Sequence, residues 1–486
     1  MSCTTVLVGK KASNDNSTMV ARTEDGYFDV KRTIVVLPKE QPRKYKSKIS
    51  HVVIDLPEDP MRYTASPNVD DKNGIWAATG INAADVGMTA TETITSNPLT
   101  LAADPLVELK PAKGRQKEVP GGIGEEDIVV LVLPYIKTAR EGVERLAMLL
   151  EKYGTYESNG IAFNDVNEVW WMETIGGHHW IASKIPEDAV VINPNQFGTD
   201  NFDLEDALGK QESNMCSKDL KEFIKDNSLD LNQNGQFNLR DIFGSHRDMD
   251  HIYNTPRAWF MGRYMTPYSH TFDGPGAVFG PESDDIPWAI VPERKVTVED
   301  VQYMLSSHYQ GTDYDPYTGR DTVKRGMYRS IGINRTGVTS ICQIRDGLPA
   351  EIRGIEWICY GSTTFSCWVP VYTCVDKLPA YLSKVTRDVT TENLFWADKL
   401  IGAMADKNYA DCAQNIERYQ DAVNIRSMQV IRKYDRRMLE SGDYTLAVEA
   451  NIELCRIAKE ETDKTLGRIL DTSTKHMKNS FNLADN

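Results

Sequence analysis

Residues 1–25 read MSCTTVLVGKKASNDNSTMVARTED and predict a β-hairpin. Residues 4–9 are typical of a strand, the polar run at 13–17 supplies a turn, and residues 18–21 form a short return strand. The return strand leads into Arg22 and Asp25, so the hairpin carries both toward the end at which Cys3 lies. A thiol, a guanidinium and a carboxylate are therefore expected at one site.

A cysteine at this position offers nucleophilic chemistry. A free thiol has a pKa of about 8.5 and an α-amino group one of about 7.7–8.0, so both titrate near neutral pH. If the two residues before Cys3 are removed, its own amine can accept the thiol proton, and no histidine is needed. Asp25 would then hold the ammonium form and Arg22 would favour the thiolate. The alternative is that Cys3 is an ordinary buried side chain.

The overall composition excludes several classes of protein. A net charge of −15 argues against a nucleic-acid partner and against an anionic membrane surface. The longest apolar run, near residues 128–133, is too short to span a bilayer, and no secretory signal is visible. The eight cysteines form no CxxC pair, which indicates reduced thiols in the cytoplasm.

The order of predicted elements indicates an α+β chain. Short strands recur to about residue 375, and apolar residues at helical spacing between 136 and 150 predict a helix that ends at Gly154. From about residue 388 the pattern becomes helical, with Gly442 as a break. We predict a leader of residues 1–2, a catalytic domain over 3–387 and a helical region over 388–486. That region either covers the catalytic layer or makes a subunit contact in a homo-oligomer.

Two other segments raise the question of a bound metal. Residues 230–241, DLNQNGQFNLRD, fit an EF-hand calcium loop except that Asp241 stands where glutamate is usual. A polar turn without metal is favoured, and calcium is the alternative. His178 and His179 have no partner at metal-ligand spacing, so structural roles in a sheet are expected.

The opening also resembles a known family. Cys-Thr-Thr at 3–5 followed by Ala-Arg-Thr-Glu-Asp at 21–25 is similar to the start of the cysteine-type N-terminal-nucleophile hydrolases, which include penicillin V acylase, bile-salt hydrolase and bacterial dipeptidase A. Later segments resemble the dipeptidase A branch, and the resemblance spans most of residues 3–375 and continues more weakly into the helical tail. The segments are WWMETIGGHHW at 170–180, NTPRAW at 254–259, HYQGTDYDP at 308–316 and TSICQ at 339–343.

The resemblance implies a four-layer α-β-β-α fold, with two antiparallel sheets between helices. It implies that Cys3 is the nucleophile once Met1 and Ser2 are lost, and attack of Cys3 on its preceding carbonyl is the route considered for the loss of Ser2. It assigns an oxyanion donor to Asn195, with Asn193 as the fallback, and places Arg257 against the nucleophile. The substrates it implies are dipeptides with a free amino group, without a metal or cofactor.

Two other functions stay open from the sequence. One is an N-acyl amide hydrolase similar to penicillin V acylase, against which the 170–180 segment and the long helical tail argue. The other is a catalytically silent binding or scaffold protein in which the helical tail is the working part.

Overall fold

The structure, a computed structural model, describes residues 2–26, 29–233 and 235–478. In these ranges the strands are β1 (Ser2–Val8), β2 (Thr18–Asp25), β3 (Ile34–Val36), β4 (Lys44–Lys46), β5 (Val53–Asp55), β6 (Tyr63–Ala65), β7 (Thr79–Ile81), β8 (Gly87–Thr93), β9 (Asn159–Asn164), β10 (Val169–Thr174), β11 (Trp180–Lys184), β12 (Val190–Asn193), β13 (Asn214–Cys216), β14 (Ala289–Ile290), β15 (Val338–Ile344), β16 (Gly354–Tyr360) and β17 (Val369–Tyr372).

The helices of the same ranges are α1 (Pro98–Ala103), α2 (Glu125–Val132), α3 (Ala139–Tyr153), α4 (Leu204–Leu208), α5 (Leu220–Asp226), α6 (Leu239–Phe243), α7 (Asp250–Tyr253), α8 (Thr255–Met265), α9 (Val298–Leu305), α10 (Ala350–Arg353), α11 (Ala380–Ser383), α12 (Leu394–Ala405), α13 (Tyr409–Ser441) and α14 (Leu446–Lys475). Single 3₁₀ turns lie at Pro38–Glu40, Leu133–Tyr135 and Asp406–Asn408.

The N-terminal hairpin is confirmed. β1 and β2 are antiparallel, with Cys3 opposite Glu24 and Thr5 opposite Arg22. β2 continues to Asp25 instead of ending at residue 21, because β15 pairs with residues 18–24 on one side and β1 pairs with Asp25 on the other. Both strands therefore lie inside a sheet rather than at an edge, which gives the site a rigid base.

Two larger antiparallel sheets form the centre of the molecule. The seven-stranded sheet has the order β14-β12-β1-β2-β15-β16-β17, and the six-stranded sheet has the order β13-β11-β10-β9-β8-β7. Leu7 and Val20 of the first sheet pack with Ile81, Ala162 and Trp171 of the second in one buried cluster. The apolar residues that alternate along each strand hold the two sheets face to face.

Helices cover the outer faces of both sheets. Val143 and Leu146 of α3 pack with Phe163 of the six-stranded sheet, and the helix begins after the cap Thr138 and ends at Gly154 as predicted. On the other side, Val301 of α9 shares a buried cluster with residues of β1 and β2. The structure is thus a mixed arrangement of helices and sheets.

The C-terminal part is helical, as expected from its composition. α13 and α14 are joined at Gly442, whose φ of 68° lies in the left-handed region. The side-chain amide of Asn451 on α14 exchanges hydrogen bonds with the backbone of Tyr372 on β17. The helical tail and the strands therefore share one packed core, and the division at residue 387 stays a prediction.

The loop at 230–241 forms a local turn. The backbone N–H of Asn232 donates to Oδ1 of Asp230 at 3.0 Å. Asn234, a ligand in the calcium alternative, lies outside the described residues. Among the residues that the structure does describe, no group of three or more His, Cys, Asp or Glu side chains is placed to hold a metal ion.

Of the helices in the described ranges, none is both long enough and apolar enough to cross a membrane.

Candidate active site

Cys3 lies on β1 with no exposed surface, and its sulfur contacts Arg22. Nη1 of Arg22 donates to Sγ of Cys3 at 3.0 Å. Cross-strand neighbours share a face of a sheet, and residues two apart on one strand do so as well. Cys3, Thr5, Arg22 and Glu24 therefore occupy the face that is turned toward the six-stranded sheet.

The guanidinium of Arg22 is held by the second sheet. Nε donates to Oγ1 of Thr89 at 2.8 Å, and Nη1 also donates to the carbonyl of Thr91 at 2.9 Å. Nη2 donates to the carbonyls of Ala90 at 2.8 Å and Ala78 at 3.1 Å. Together with the sulfur contact these bonds use the planar fork of donors that arginine has and lysine lacks.

Asp25 lies close to the hairpin end but on the opposite face from Cys3, because strand residues alternate. Its carboxylate accepts hydrogen bonds from Thr336 at 2.6 Å, from Thr23 at 3.1 Å and from Nη2 of Arg329. The backbone N–H of Cys3 donates instead to Oδ1 of Asn195, at 3.2 Å. The ammonium-holding role of Asp25 stays a prediction.

Asn195 and Arg257 come together beside Cys3. Nη2 of Arg257 donates to Oδ1 of Asn195 at 2.8 Å, and Nη1 donates to Oγ1 of Thr4 at 2.6 Å and to the carbonyl of Cys3. Nδ2 of Asn195 donates to the carbonyl of Thr93 at 2.8 Å. These bonds tie β1, the end of β12 and the start of α8 into one buried network.

Asn193 has a different position. Its Nδ2 donates to the carbonyls of Pro194 at 3.0 Å and Gln196 at 3.1 Å, and its Oδ1 accepts from Nε1 of Trp288 at 3.1 Å. The side chain therefore shapes the turn that follows β12. Of the two asparagines, Asn195 is the one that contacts Cys3.

Burial dominates the ionisation of the site. It raises the pKa of the Cys3 thiol to about 12, although Arg22 acts to lower it. Burial, with Arg329 nearby, lowers the pKa of Arg257 to about 9. Burial raises the pKa of Glu92 to about 8 and that of Glu125 to about 7, against the opposing effect of the arginines. In this form of the chain the sulfur is therefore a thiol at neutral pH.

Several charged residues of this network were not predicted as site residues. Glu24 could have been found, because it lies two positions after Arg22 and hence on the same face of β2. Glu125 carried only the signal of an acid at a helix start, and Arg329 lies in a segment without periodicity. The unpredicted members are Glu24, Lys31, Glu92, Glu125 and Arg329.

The paired histidines lie apart from this network. Nδ1 of His179 contacts Oδ2 of Asp104 at 2.8 Å, and its ring stacks on Phe223 with the centroids 3.9 Å apart. These contacts agree with a structural role in the sheet.

Comparison with known proteins identifies the family. Residues 2–422 match the model of Peptidase family C69. The chain belongs to peptidase family C69. It is 50% identical to a dipeptidase of Bifidobacterium longum, with each chain covered in full.

Other relatives of this C69 peptidase are similar over nearly their whole length. The chain is 47% identical to a probable dipeptidase A of Streptococcus pyogenes serotype M18, with all of this chain and 98% of the relative covered. It is 40% identical to dipeptidase A of Lactobacillus helveticus, with 99% of each chain covered. The protein is therefore a peptide-bond hydrolase.

Proposed function

We propose that this C69 peptidase is a cysteine-type dipeptidase that cleaves unblocked dipeptides, with Cys3 as its nucleophile after residues 1 and 2 are removed. The observation that carries the proposal is the 3.0 Å contact from Arg22 to Sγ of Cys3, at the start of a central strand. The names of the relatives support the substrate class.

The fold we propose is the four-layer α-β-β-α fold of the N-terminal-nucleophile hydrolases. Two face-to-face antiparallel sheets with helices on both outer faces support this assignment. We also propose a cytoplasmic location, because all eight cysteines are free thiols.

The first chemical step in this proposal releases the leader. Sγ of Cys3 attacks the carbonyl carbon of Ser2 to form a thioester, and the C–N bond between the two residues breaks. The nitrogen of Cys3 takes the proton that the thiol gives up and becomes an amine. Water then hydrolyses the thioester, which frees the leader with a new carboxylate and restores the thiol. Arg257 favours this step because it holds the Cys3 carbonyl, and Asn195 holds the Cys3 nitrogen.

Peptide hydrolysis then repeats the same chemistry on a dipeptide. The freed amine of Cys3 takes the thiol proton, and the thiolate attacks the scissile carbonyl. Asn195 and a backbone N–H stabilise the oxyanion, and the ammonium of Cys3 protonates the departing amine. Water finally releases the acyl group. Arg22, Asp25 and Arg257 set the charge around the sulfur during these steps.

The test is a dipeptide panel with wild type, Cys3→Ala and Cys342→Ala, together with intact mass measurement. Cys342 is a matched control, since it is equally buried on β15 of the same sheet. We expect a mature chain that begins at Cys3, activity in wild type and the control, and none in Cys3→Ala. An intact Met1 end without activity would indicate a silent relative, and cleavage of N-acylated amino acids alone would indicate an acylase.

A further inference from the structure

Glu125 is a buried carboxylate without hydrogen-bond donors. It is the first residue of α2, its side chain is 2% exposed, and neither of its carboxylate oxygens has a hydrogen-bond partner. Buried carboxylates normally collect donors, because an unmatched charge in the interior costs several kcal/mol. Arg22 forms an ion pair with Oε1 at 3.7 Å, but both oxygens remain free to accept a hydrogen bond from a bound group.

The neighbouring acids differ from Glu125 in this respect. Oε1 of Glu24 pairs with Lys31, and Oε2 of Glu92 accepts from Thr5 at 2.8 Å. The two oxygens of Glu126 accept from Tyr156 at 2.5 Å and from Ser47 at 3.0 Å. Among the buried carboxylates in the described ranges, Glu125 is the one in which both oxygens lack a hydrogen-bond partner.

The position of Glu125 relates it directly to the nucleophile. Its Oε1 lies 3.7 Å from Nη1 of Arg22, the same nitrogen that lies 3.0 Å from Sγ of Cys3. One guanidinium nitrogen is therefore a close neighbour of both the carboxylate and the sulfur.

The dimensions of a dipeptide fit this spacing. Its amine nitrogen is two bonds, about 2.5 Å, from the carbon of the scissile carbonyl. A carbonyl poised for attack lies about 3–3.5 Å from the nucleophile. The ammonium group then falls within about 6 Å of the sulfur, in the region that Glu125 borders.

We propose that Glu125 binds the α-ammonium group of the substrate and so restricts hydrolysis to dipeptides with an unblocked amino end, an inference that rests on the dipeptidase function proposed above. Glu125 is a specificity residue for the position of the substrate amine. Arg22, 3.7 Å from Oε1, is a positive charge that opposes the effect of this carboxylate on the sulfur.

The test uses mature wild type, Glu125→Gln and Glu126→Gln, with two substrates. Alanyl-alanine carries the ammonium, and propionyl-alanine has the same skeleton with hydrogen in its place. Glu126→Gln removes the same charge from the same helical turn, so it controls for the helix dipole and for burial. Circular dichroism checks the fold of each variant.

We expect wild type to prefer alanyl-alanine by about 100-fold. In Glu125→Gln, kcat/KM for alanyl-alanine should fall about 10- to 100-fold, mainly through KM, as expected for a lost bond to a charged group. The value for propionyl-alanine should change much less, so the ratio of kcat/KM for the two substrates is the decisive quantity. Glu126→Gln should keep the wild-type ratio of the two substrates.

A purely structural role would lower kcat/KM for both substrates equally in Glu125→Gln, and that result would overturn the proposal. Unchanged selectivity in that variant would do the same. If Glu125→Gln does not fold, Glu125→Asp keeps the charge on a shorter side chain. This variant should retain part or all of the preference for alanyl-alanine, and complete loss of that preference would oppose the proposal. Wild type that cleaves neither substrate would refute the dipeptidase function itself, which distinguishes the two failures.

Discussion

Replacing Arg22 with lysine should damage both stability and activity. The guanidinium makes five hydrogen bonds, to Sγ of Cys3, to Oγ1 of Thr89 and to three backbone carbonyls. A lysine ammonium has three N–H donors, so at least two buried acceptors lose their partner. At about 1–3 kcal/mol for each, the free energy of unfolding should fall by about 2–6 kcal/mol.

The catalytic effect of Arg22→Lys follows from the sulfur contact. A hydrogen bond to a charged group contributes about 1.5–3 kcal/mol, which corresponds to about a 10- to 100-fold loss in kcat/KM. The thiolate of the mature enzyme should also form at higher pH. Urea denaturation, dipeptide hydrolysis and the pH dependence of iodoacetamide alkylation measure these three effects.

Arg345→Lys is the matched control. Arg345 is also buried and donates to both carboxylate oxygens of Asp435, at 2.6 and 3.1 Å, and to the carbonyl of Ile352, but it lies outside the Cys3 network. We expect a comparable loss of stability with unchanged activity per folded molecule. If Arg22→Lys kept the wild-type alkylation profile and kcat/KM, the reasoning about the sulfur contact would be refuted.

Three further predictions concern other parts of the chain. Asn195→Ala should lower kcat about 100-fold, whereas Asn193→Ala should change kcat little; equal losses would contradict the assignment. Asp104→Asn should destabilise the protein most between about pH 4 and 6.5. Burial by itself acts to raise the pKa of Asp104 and to lower that of His179. The hydrogen bond between the two side chains outweighs burial, so the pKa of Asp104 falls to about 2 and the pKa of His179 rises. Urea melts should show the difference shrinking as pH falls through the folded pKa of Asp104 or rises through that of His179. Gly442→Ala should cost about 1 kcal/mol without changing activity, since the residue has a φ of 68° and open space around its Cα.

Much of the N-terminal site could be predicted because a hairpin is local. The two strands are joined by residues 9–17 alone, so the positions of Cys3 and Arg22 along the chain already imply that they meet. Arg22 and Asp25 are three positions apart on β2, so their side chains lie on opposite faces of the sheet. This difference could have been inferred from the sequence. Helix α3 was predicted to within a few residues, because the spacing of its apolar residues and its final glycine agree.

The remaining site contacts join residues far apart in the chain. Asn195 and Asn193 look alike in sequence, and packing against Arg257 or Trp288 distinguishes them. Glu125 begins α2, and only the packing of this helix in the folded protein brings it beside Arg22.

The sequence by itself determined the hairpin, the nucleophile candidate and the helical tail, because these depend on short-range periodicity and on turn residues. Only the tertiary structure decided which buried charges surround the sulfur and which of their oxygens are satisfied. The physical reason is that such contacts form when two sheets pack face to face. The relative position of the two sheets is not encoded in the residue pattern of any single strand.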